Sequence, residues 1–216
     1  MTLNKYGQEQ AKIRLGSGDN VFRVEGELNQ WQYLGINGNQ GNDEITASGW
    51  VYGDFFGGKG DDRIFANLRR ESVVNGNNGN DVIIGSYIGN DPSDMTTYRG
   101  GRGDDLINVG RGIVYGDQGI DTFQISQRFS NGFEPKVVIK DFEPYIDVLL
   151  IDMKGGDTPT ISYSTSELGV YVSVGYVGSP APLPSVLLEG LQSSDGVFTT
   201  VEQQSPIDIG TLEGPL

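Results

Sequence analysis

The sequence predicts an all-β protein: a parallel β-roll, a right-handed solenoid of about six coils, closed at its C-terminal end by antiparallel strands. Three observations carry that expectation. One glycine-rich turn recurs six times, apolar residues stand at fixed distances on either side of it, and the spacing between repeats is irregular. The turns read LGSGDNVF from Leu15, GNQGNDEI from Gly38, GGKGDDRI from Gly57, GNNGNDVI from Gly76, GGRGDDLI from Gly100 and GDQGIDTF from Gly116. Glycine holds the fourth place throughout (Gly18, Gly41, Gly60, Gly79, Gly103, Gly119). Aspartate holds the sixth place in Asp43, Asp62, Asp81, Asp105 and Asp121, with Asn20 in the first copy.

The eighth place is always large and apolar: Phe22, Ile45, Ile64, Ile83, Ile107 and Phe123. Nine residues before each stands another, namely Ile13, Ile36, Phe55, Val74, Tyr98 and Val114. From an eighth-place residue to the next leading residue the spacing runs 14, 10, 10, 15 and 7. One edge therefore has turns of fixed length and the other has loops of free length. A coil with two short strands per turn produces that pattern, with its strands stacked about 4.8 Å apart and both apolar ladders pointing inward. Tyr98 and the Phe55–Phe56 pair fit the outer edge less neatly.

A chain that reverses within about five residues needs positive φ, which glycine adopts at no steric cost. Such turns aim backbone carbonyls to one side. Carbonyl and carboxylate oxygens are the hard ligands of Ca²⁺, which takes six to eight of them at about 2.3–2.6 Å. One turn supplies too few; two stacked turns supply enough, so an ion would lie between neighbours, and six turns offer at most five intervals. Stacked aspartates one coil apart repel by roughly 3 kcal/mol per pair at an effective dielectric near 20. The fifth-place residues Asp19, Asp61 and Asp104 would add to that repulsion. A divalent cation inverts its sign and couples binding to folding.

With these residues in place, 13–123 resembles the RTX β-roll, whose repeat is G-G-x-G-x-D-x-U-x. The segment VVIKDFEPYIDVLLID, Val137 to Asp152, resembles the I-x-D-F…D-x-L-x-L stretch that follows such repeats, and SVLLEGL at Ser185–Leu191 is similar to a later strand and turn. The resemblance implies four to five calcium ions. Each would take carbonyls from places two and four plus the aspartate of one turn, and carbonyls from places one and three plus the aspartate of the next. Carried over, the second and third turns would use Asn39, Gly41 and Asp43 with Gly57, Lys59 and Asp62. The next interval would use Gly58, Gly60 and Asp62 with Gly76, Asn78 and Asp81. Then come Asn77, Gly79 and Asp81 with Gly100, Arg102 and Asp105, followed by Gly101, Gly103 and Asp105 with Gly116, Gln118 and Asp121. The first interval would use Gly16, Gly18 and Asn20 with Gly38, Gln40 and Asp43. There an asparagine replaces a carboxylate, and Leu15 a glycine.

Composition agrees. The 216 residues include 33 glycines that fall on a period, and the net charge of −14 suits a polyanion that collects cations and argues against nucleic-acid binding. Cysteine is absent, so there is no disulfide framework. No cleavable signal peptide and no run of about 18 apolar residues is expected. Shared ligands and a heavy folding cost suit the weak calcium regime of extracellular modules, about 10⁻⁴–10⁻³ M. Two readings remain, a cytoplasmic chain or export through a C-terminal signal as the resemblance implies, and the weak calcium regime favours a secreted or cell-surface protein.

The domains expected are a roll over 1–124, a β-rich cap over 125–202 and a mobile tail over 203–216 that could carry the export signal. Residues 1–12 would form a partial N-terminal cap. Val137–Ile139 and Val148–Ile151 read as strands around an acidic turn, and Thr160–Ser164 with Gly169–Val174 reads as a hairpin. Gly178–Pro184 reads as a loop.

No catalytic role is expected. Histidine and cysteine are absent and no G-x-S-x-G elbow occurs. Asp61/Asp62 and Asp104/Asp105 belong to the repeat, and adjacent residues point apart, which argues against a glycosidase pair. Arg102-Gly103-Asp104 spells an integrin tripeptide, yet Gly103 is demanded by the turn. Trp31, Trp50 and Tyr52 fall at the irregular edge, where burial is favoured over sugar stacking. The loops Arg23–Gly35 and Ile84–Thr97 are the expected partner surfaces. The expected function is therefore calcium binding with a structural or interaction role, the partner being another surface protein. A carbohydrate-binding module for extracellular polysaccharide, similar to alginate epimerase repeat modules, is the alternative, and a roll that catalyses through carboxylates alone is a weaker third.

Overall fold

The computed structural model describes residues 10–24, 32–49, 51–68, 71–85, 95–126, 137–152, 159–176 and 183–202. The expectations for 1–9, for Trp31, Trp50 and the 203–216 tail, and for most of the two irregular loops lie outside them. No helix occurs among the described residues.

Two sheets face each other. The first contains β1 (Gln10–Arg14), β3 (Gln32–Asn37), β5 (Val51–Lys59), β7 (Val73–Asn78), β9 (Thr97–Arg102), β11 (Gly112–Gln118), β13 (Val137–Ile139) and β17 (Leu183–Glu189), in that order and parallel. The antiparallel hairpin β15 (Pro159–Thr165) and β16 (Gly169–Tyr176) extends it beyond β17. The second contains β2 (Val21–Val24), β4 (Glu44–Ser48), β6 (Arg63–Asn67), β8 (Val82–Gly85), β10 (Leu106–Val109), β12 (Thr122–Ser126), β14 (Val148–Asp152) and β18 (Thr199–Glu202), all parallel. From β1 to β14 odd and even strands alternate between the sheets, and β17 and β18 resume the alternation after the hairpin, so the chain winds as a solenoid.

The strand register turns the apolar periodicity into two columns. Ile13, Ile36, Phe55, Val74, Tyr98 and Val114 stand directly above one another, and the column continues into Ile139 and Leu188. Opposite them run Phe22, Ile45, Ile64, Ile83, Ile107 and Phe123, continuing into Leu149 and Thr199. Apart from Ile13, half-buried Phe22 and the closing Thr199, these residues are almost fully buried, and each large one contributes about 1.5–3 kcal/mol. Ile13, on the first strand, stays 37% exposed.

Tyr98 corrects the expectation of a poor fit. It sits in the column at 2% exposure because Gly85 and Gly112 leave room: a Cβ on either would overlap its ring. Phe55 is likewise in the column, and Phe56 points outward. Tyr52 is buried edge-on against Tyr33, with ring centroids 5.6 Å apart.

The transition expected at 124/125 is displaced. Parallel winding continues through β13–β14 and β17–β18, so two further coils follow the six glycine turns, and antiparallel pairing is confined to β15, β16 and the β16–β17 contact. Val137 and Val148 begin strands whose inward residues match the columns, which is all that stacking requires; the glycine turn is dispensable for it.

Candidate metal centre

The six turns lie along one edge, and their second and fourth places share an unusual backbone. Every fourth-place glycine has positive φ, from 109° at Gly41 to 142° at Gly119. The second place is also left-handed: Asn39 at 83°, Gly58 at 125°, Asn77 at 77°, Gly101 at 124° and Asp117 at 70°. Asparagine and aspartate are the side chains that tolerate this region, which explains why the second place alternates among Gly, Asn and Asp. Gly16, in the first turn, does not adopt it.

The sixth-place residues form a continuous hydrogen-bonded column. Oδ1 of each aspartate accepts the N–H of the sixth-place residue one turn earlier: Asn20 to Asp43 at 2.8 Å, Asp43 to Asp62 at 2.7 Å, Asp62 to Asp81 at 2.7 Å, Asp81 to Asp105 at 2.7 Å and Asp105 to Asp121 at 3.0 Å. The second oxygen behaves differently. Oδ2 of Asp43, Asp62, Asp81 and Asp105 is buried and has no hydrogen-bond partner. A buried acceptor left unpaired costs about 1–3 kcal/mol, more when charged. The ion pairs Arg23–Glu44, Arg99–Asp117 and Lys140–Glu189 do not reach the column.

The first-place glycines show what these oxygens face. A Cβ on Gly38 would strike both Asp43 Oδ2 and the carbonyl oxygen of Gly57. The same holds for Gly57 against Asp62 Oδ2 and the Gly76 carbonyl, and for Gly100 against Asp105 Oδ2 and the Gly116 carbonyl. Gly76 stands against Asp81 Oδ2. An unpaired carboxylate oxygen and a carbonyl of the next turn thus converge where only glycine leaves space. The fourth-place carbonyls of Gly41, Gly60 and Gly79 lie under the glycine one turn on, and the second-place carbonyls of Asn39 and Asn77 lie under Gly58 and Gly101. Third-place carbonyls are not wholly free. Those of Gln40, Lys59, Asn78, Arg102 and Gln118 each accept the N–H of the preceding fourth-place glycine at 2.7–2.9 Å, which leaves each a second lone pair.

Burial dominates the electrostatics. It raises the carboxyls of Asp62 and Asp121 to about 6, Asp105 to about 7 and Asp81 to about 8, and it also raises Asp147. Neighbouring carboxylates add to the rise, and the backbone N–H bonds oppose it. A chemical group of positive charge that accepts oxygen ligands would satisfy all of this at once. No three His, Cys, Asp or Glu side chains converge among the described residues. The oxygen set is two carboxylates per interval plus backbone carbonyls, which fits a hard divalent cation rather than a thiolate- or imidazole-seeking metal.

The fifth-place acids add to the column's repulsion as expected: beyond burial, Asp61 further raises the carboxyls of Asp62 and Asp81, and Asp104 those of Asp105 and Asp121. Asp19, Asp61 and Asp104 do not stack on one another, because Asn42 and Asn80 alternate with them. Each side-chain oxygen accepts the N–H of the residue one turn later, at 2.8–2.9 Å. The fifth-place column is therefore satisfied without a cation, and its acids are held two coils apart.

The first interval departs from the others. The Asn20 amide donates to the Gly18 carbonyl and, at 3.5 Å, to that of Gly16. Its donors cover the oxygens that Gly16 and Gly18 would have offered, so in that interval an amide stands where the later turns place a carboxylate. At the other end lie two residues that the sequence reading did not assign. Asp147 continues the column, with Oδ1 accepting the Asp121 N–H at 3.0 Å and Oδ2 the Glu143 N–H at 2.7 Å. Asp141 accepts the N–H groups of Gly116 at 2.9 Å and Asp117 at 3.0 Å. The signal was present: Asp147-Val148-Leu149 repeats the sixth-to-eighth places, but Ile139 precedes Leu149 by ten residues rather than nine.

Among known proteins, no family model matches this chain, no curated protein matches it and no solved structure matches it.

Proposed function

We propose that the chain is a calcium-binding β-roll of the RTX type that folds as it binds the metal and serves a structural or interaction role outside the cell. The observation that supports it is the run of four buried, unpartnered Oδ2 atoms on Asp43, Asp62, Asp81 and Asp105, in register with carbonyls of neighbouring turns. Four ions are proposed, in the intervals between turns two and six. Asp43, Asp62, Asp81, Asp105 and Asp121 would supply carboxylates, and the carbonyls would come from places one to four of the same turns. The ion supplies positive charge to an acidic column that otherwise opposes folding. Asp121 is the terminal ligand, shared with no further ion. The metal-free rungs at Asn20 and Asp147 bound the array.

Location outside the cell is supported by the weak-binding regime that suits shared ligands, with calcium near millimolar. No helix among the described residues is long and apolar enough to cross a membrane. A role without catalysis is proposed because the buried acids are all committed to the column. A calcium titration tests the function: far-UV circular dichroism should change from disordered to β-rich, and calorimetry should count four ions. A spectrum indifferent to chelator and to millimolar calcium overturns it.

A further inference from the structure

We infer that the outward face of the second sheet, over its last three strands, is the contact surface for a second copy of this chain, packed about a twofold axis. The eight strands of that sheet, β2 to β18, form rungs one to eight. The fifth and seventh places of each turn point outward there. On rungs one to five they include Asp19, Glu44, Asp61, Arg63 and Asp104. From the sixth rung the character changes. Ile120 is 57% exposed, Ile146 45%, Tyr145 70% and Phe198 60%, half of the exposed large apolar residues among those described. Register joins them. Thr122 pairs with Val148, each two residues after an exposed isoleucine, and Phe198 precedes Thr199, the partner of Leu149. The Tyr145 and Phe198 rings meet edge-on with centroids 6.0 Å apart.

Two local costs coincide at this patch. On the first five rungs the fifth-place Asp or Asn accepts an N–H from the next rung. Ile120 has no acceptor to offer, and the Ile146 N–H turns to the Glu143 carbonyl at 3.2 Å instead. Tyr145 has a φ of 68°, a left-handed backbone that a bulky side chain adopts only under strain. Its N–H donates to the Gly196 carbonyl at 2.9 Å, and its ring fills the space a Cβ on Gly196 would need. An aromatic fixed this firmly yet left in water is placed for a contact rather than for the core.

The patch is self-complementary. A twofold axis parallel to the strands through the seventh rung sets rung six against rung eight of the other copy. Thr122 then faces the larger Phe198, Ile120 faces Gly196 under its Tyr145 ring, and Ile146 and Val148 each face their own equivalents. The same surface serves both copies, as an isologous contact requires. Charge favours this occupant. Two chains of net charge −14 repel unless their charged surfaces are kept apart, and here rungs one to five project away in opposite directions. A basic partner would be drawn to the acidic surfaces instead, and an acidic lipid surface would be repelled. At about 200 Å² per ring, Tyr145 and Phe198 together expose about 260 Å². The isoleucines bring the patch to several hundred square ångströms, more than a monomer usually leaves in water and the low end of a specific dimer.

The inference deepens the interaction role proposed above and rests on it only in requiring a folded roll. Sedimentation equilibrium of the full chain at saturating calcium, from about 1 μM to about 1 mM, tests it, with circular dichroism on the same sample. Wild type should pass from monomer to dimer and no further, and added salt should not loosen the dimer. Ile120→Asn supplies the acceptor that Asn42 and Asn80 provide on other rungs, so it keeps the fold while breaking the patch. It should raise the dissociation constant about tenfold or more. Phe198→Ser should act alike, and it is read instead if Ile120→Asn loses the β-rich spectrum. Arg63→Gln, on the same face at the third rung, should leave the dimer unchanged. A folded wild type that stays monomeric across the series overturns the inference. So does an assembly larger than a dimer, a dimer weakened as much by Arg63→Gln as by Ile120→Asn, or a monomer that binds phosphatidylcholine vesicles through Phe198. A β-rich spectrum indifferent to calcium would instead count against the metal-driven fold and leave the dimer measurement standing.

Discussion

Asp81→Asn is the most informative perturbation, because Asp81 is the central carboxylate and its effect changes sign with calcium. Its side chain lies between Asp62 and Asp105, one coil to either side. At about 4.8 Å and an effective dielectric near 20, each neighbour repels it by about 3 kcal/mol, so about 6 kcal/mol opposes the metal-free fold once all three are ionised. Burial first, and then the neighbouring carboxylates, lift this carboxyl from 3.8 to about 8, so desolvation opposes the charged form in addition to the repulsion. The new amide has a precedent in the same molecule, since the Asn20 amide donates to the carbonyls of its own turn. Chelator-treated Asp81→Asn at pH 8.5 should therefore be several kcal/mol more stable than chelator-treated wild type in urea, followed by circular dichroism. With calcium the order reverses. The carboxylate serves two intervals, so calorimetry should count two or three ions rather than four, and calcium should add less stability. If the metal-free variant gains nothing, or still binds four ions, the column is not an electrostatic obstacle relieved by metal.

Three further outcomes follow from the same geometry. Protons should partly replace the cation: the raised carboxyls of Asp62, Asp81, Asp105 and Asp121 make folding without metal most favourable below about pH 4. That stability is lost progressively as pH rises from about 4 to about 8, the Asp62 and Asp121 contributions going first and that of Asp81 last, which circular dichroism in chelator across this window would detect. Gly57→Ala drives a methyl into Asp62 Oδ2 and the Gly76 carbonyl, so the calcium midpoint should rise by about tenfold or more, with one ion fewer by calorimetry. Asn20→Asp removes the amide that covers the first interval and supplies the missing carboxylate; the ion count should rise to five, and an unchanged count would mean that Leu15 and the backbone at Gly16 exclude metal there.

Six rungs were legible because each needs the same residues for reasons of backbone and charge: glycine where a Cβ would overlap a carboxylate, aspartate where an amide must be accepted. The interior columns followed from a nine-residue interval that side-chain packing enforces. What the sequence concealed were features with no fixed spacing. Asp147 reaches the column from a turn one residue longer, closed by Glu143 rather than glycine, so the motif is absent while its hydrogen bond survives. Tyr98 looked oversized because its room is made by Gly85 and Gly112, which lie outside its own strand. The sparing of the first interval depends on which way the Asn20 amide points, and no pattern of letters states that. The alternation of Asp19, Asn42, Asp61, Asn80 and Asp104 was readable, but only stacking shows that it separates like charges.

That alternation gives the fifth place a repeat twice as long as the coil itself. Splicing one extra coil into the middle would bring two acids or two amides face to face along the axis, whereas splicing in a pair would leave the order intact. Anyone lengthening this molecule, by gene duplication or at the bench, should therefore find that even numbers of coils are accepted more readily than odd.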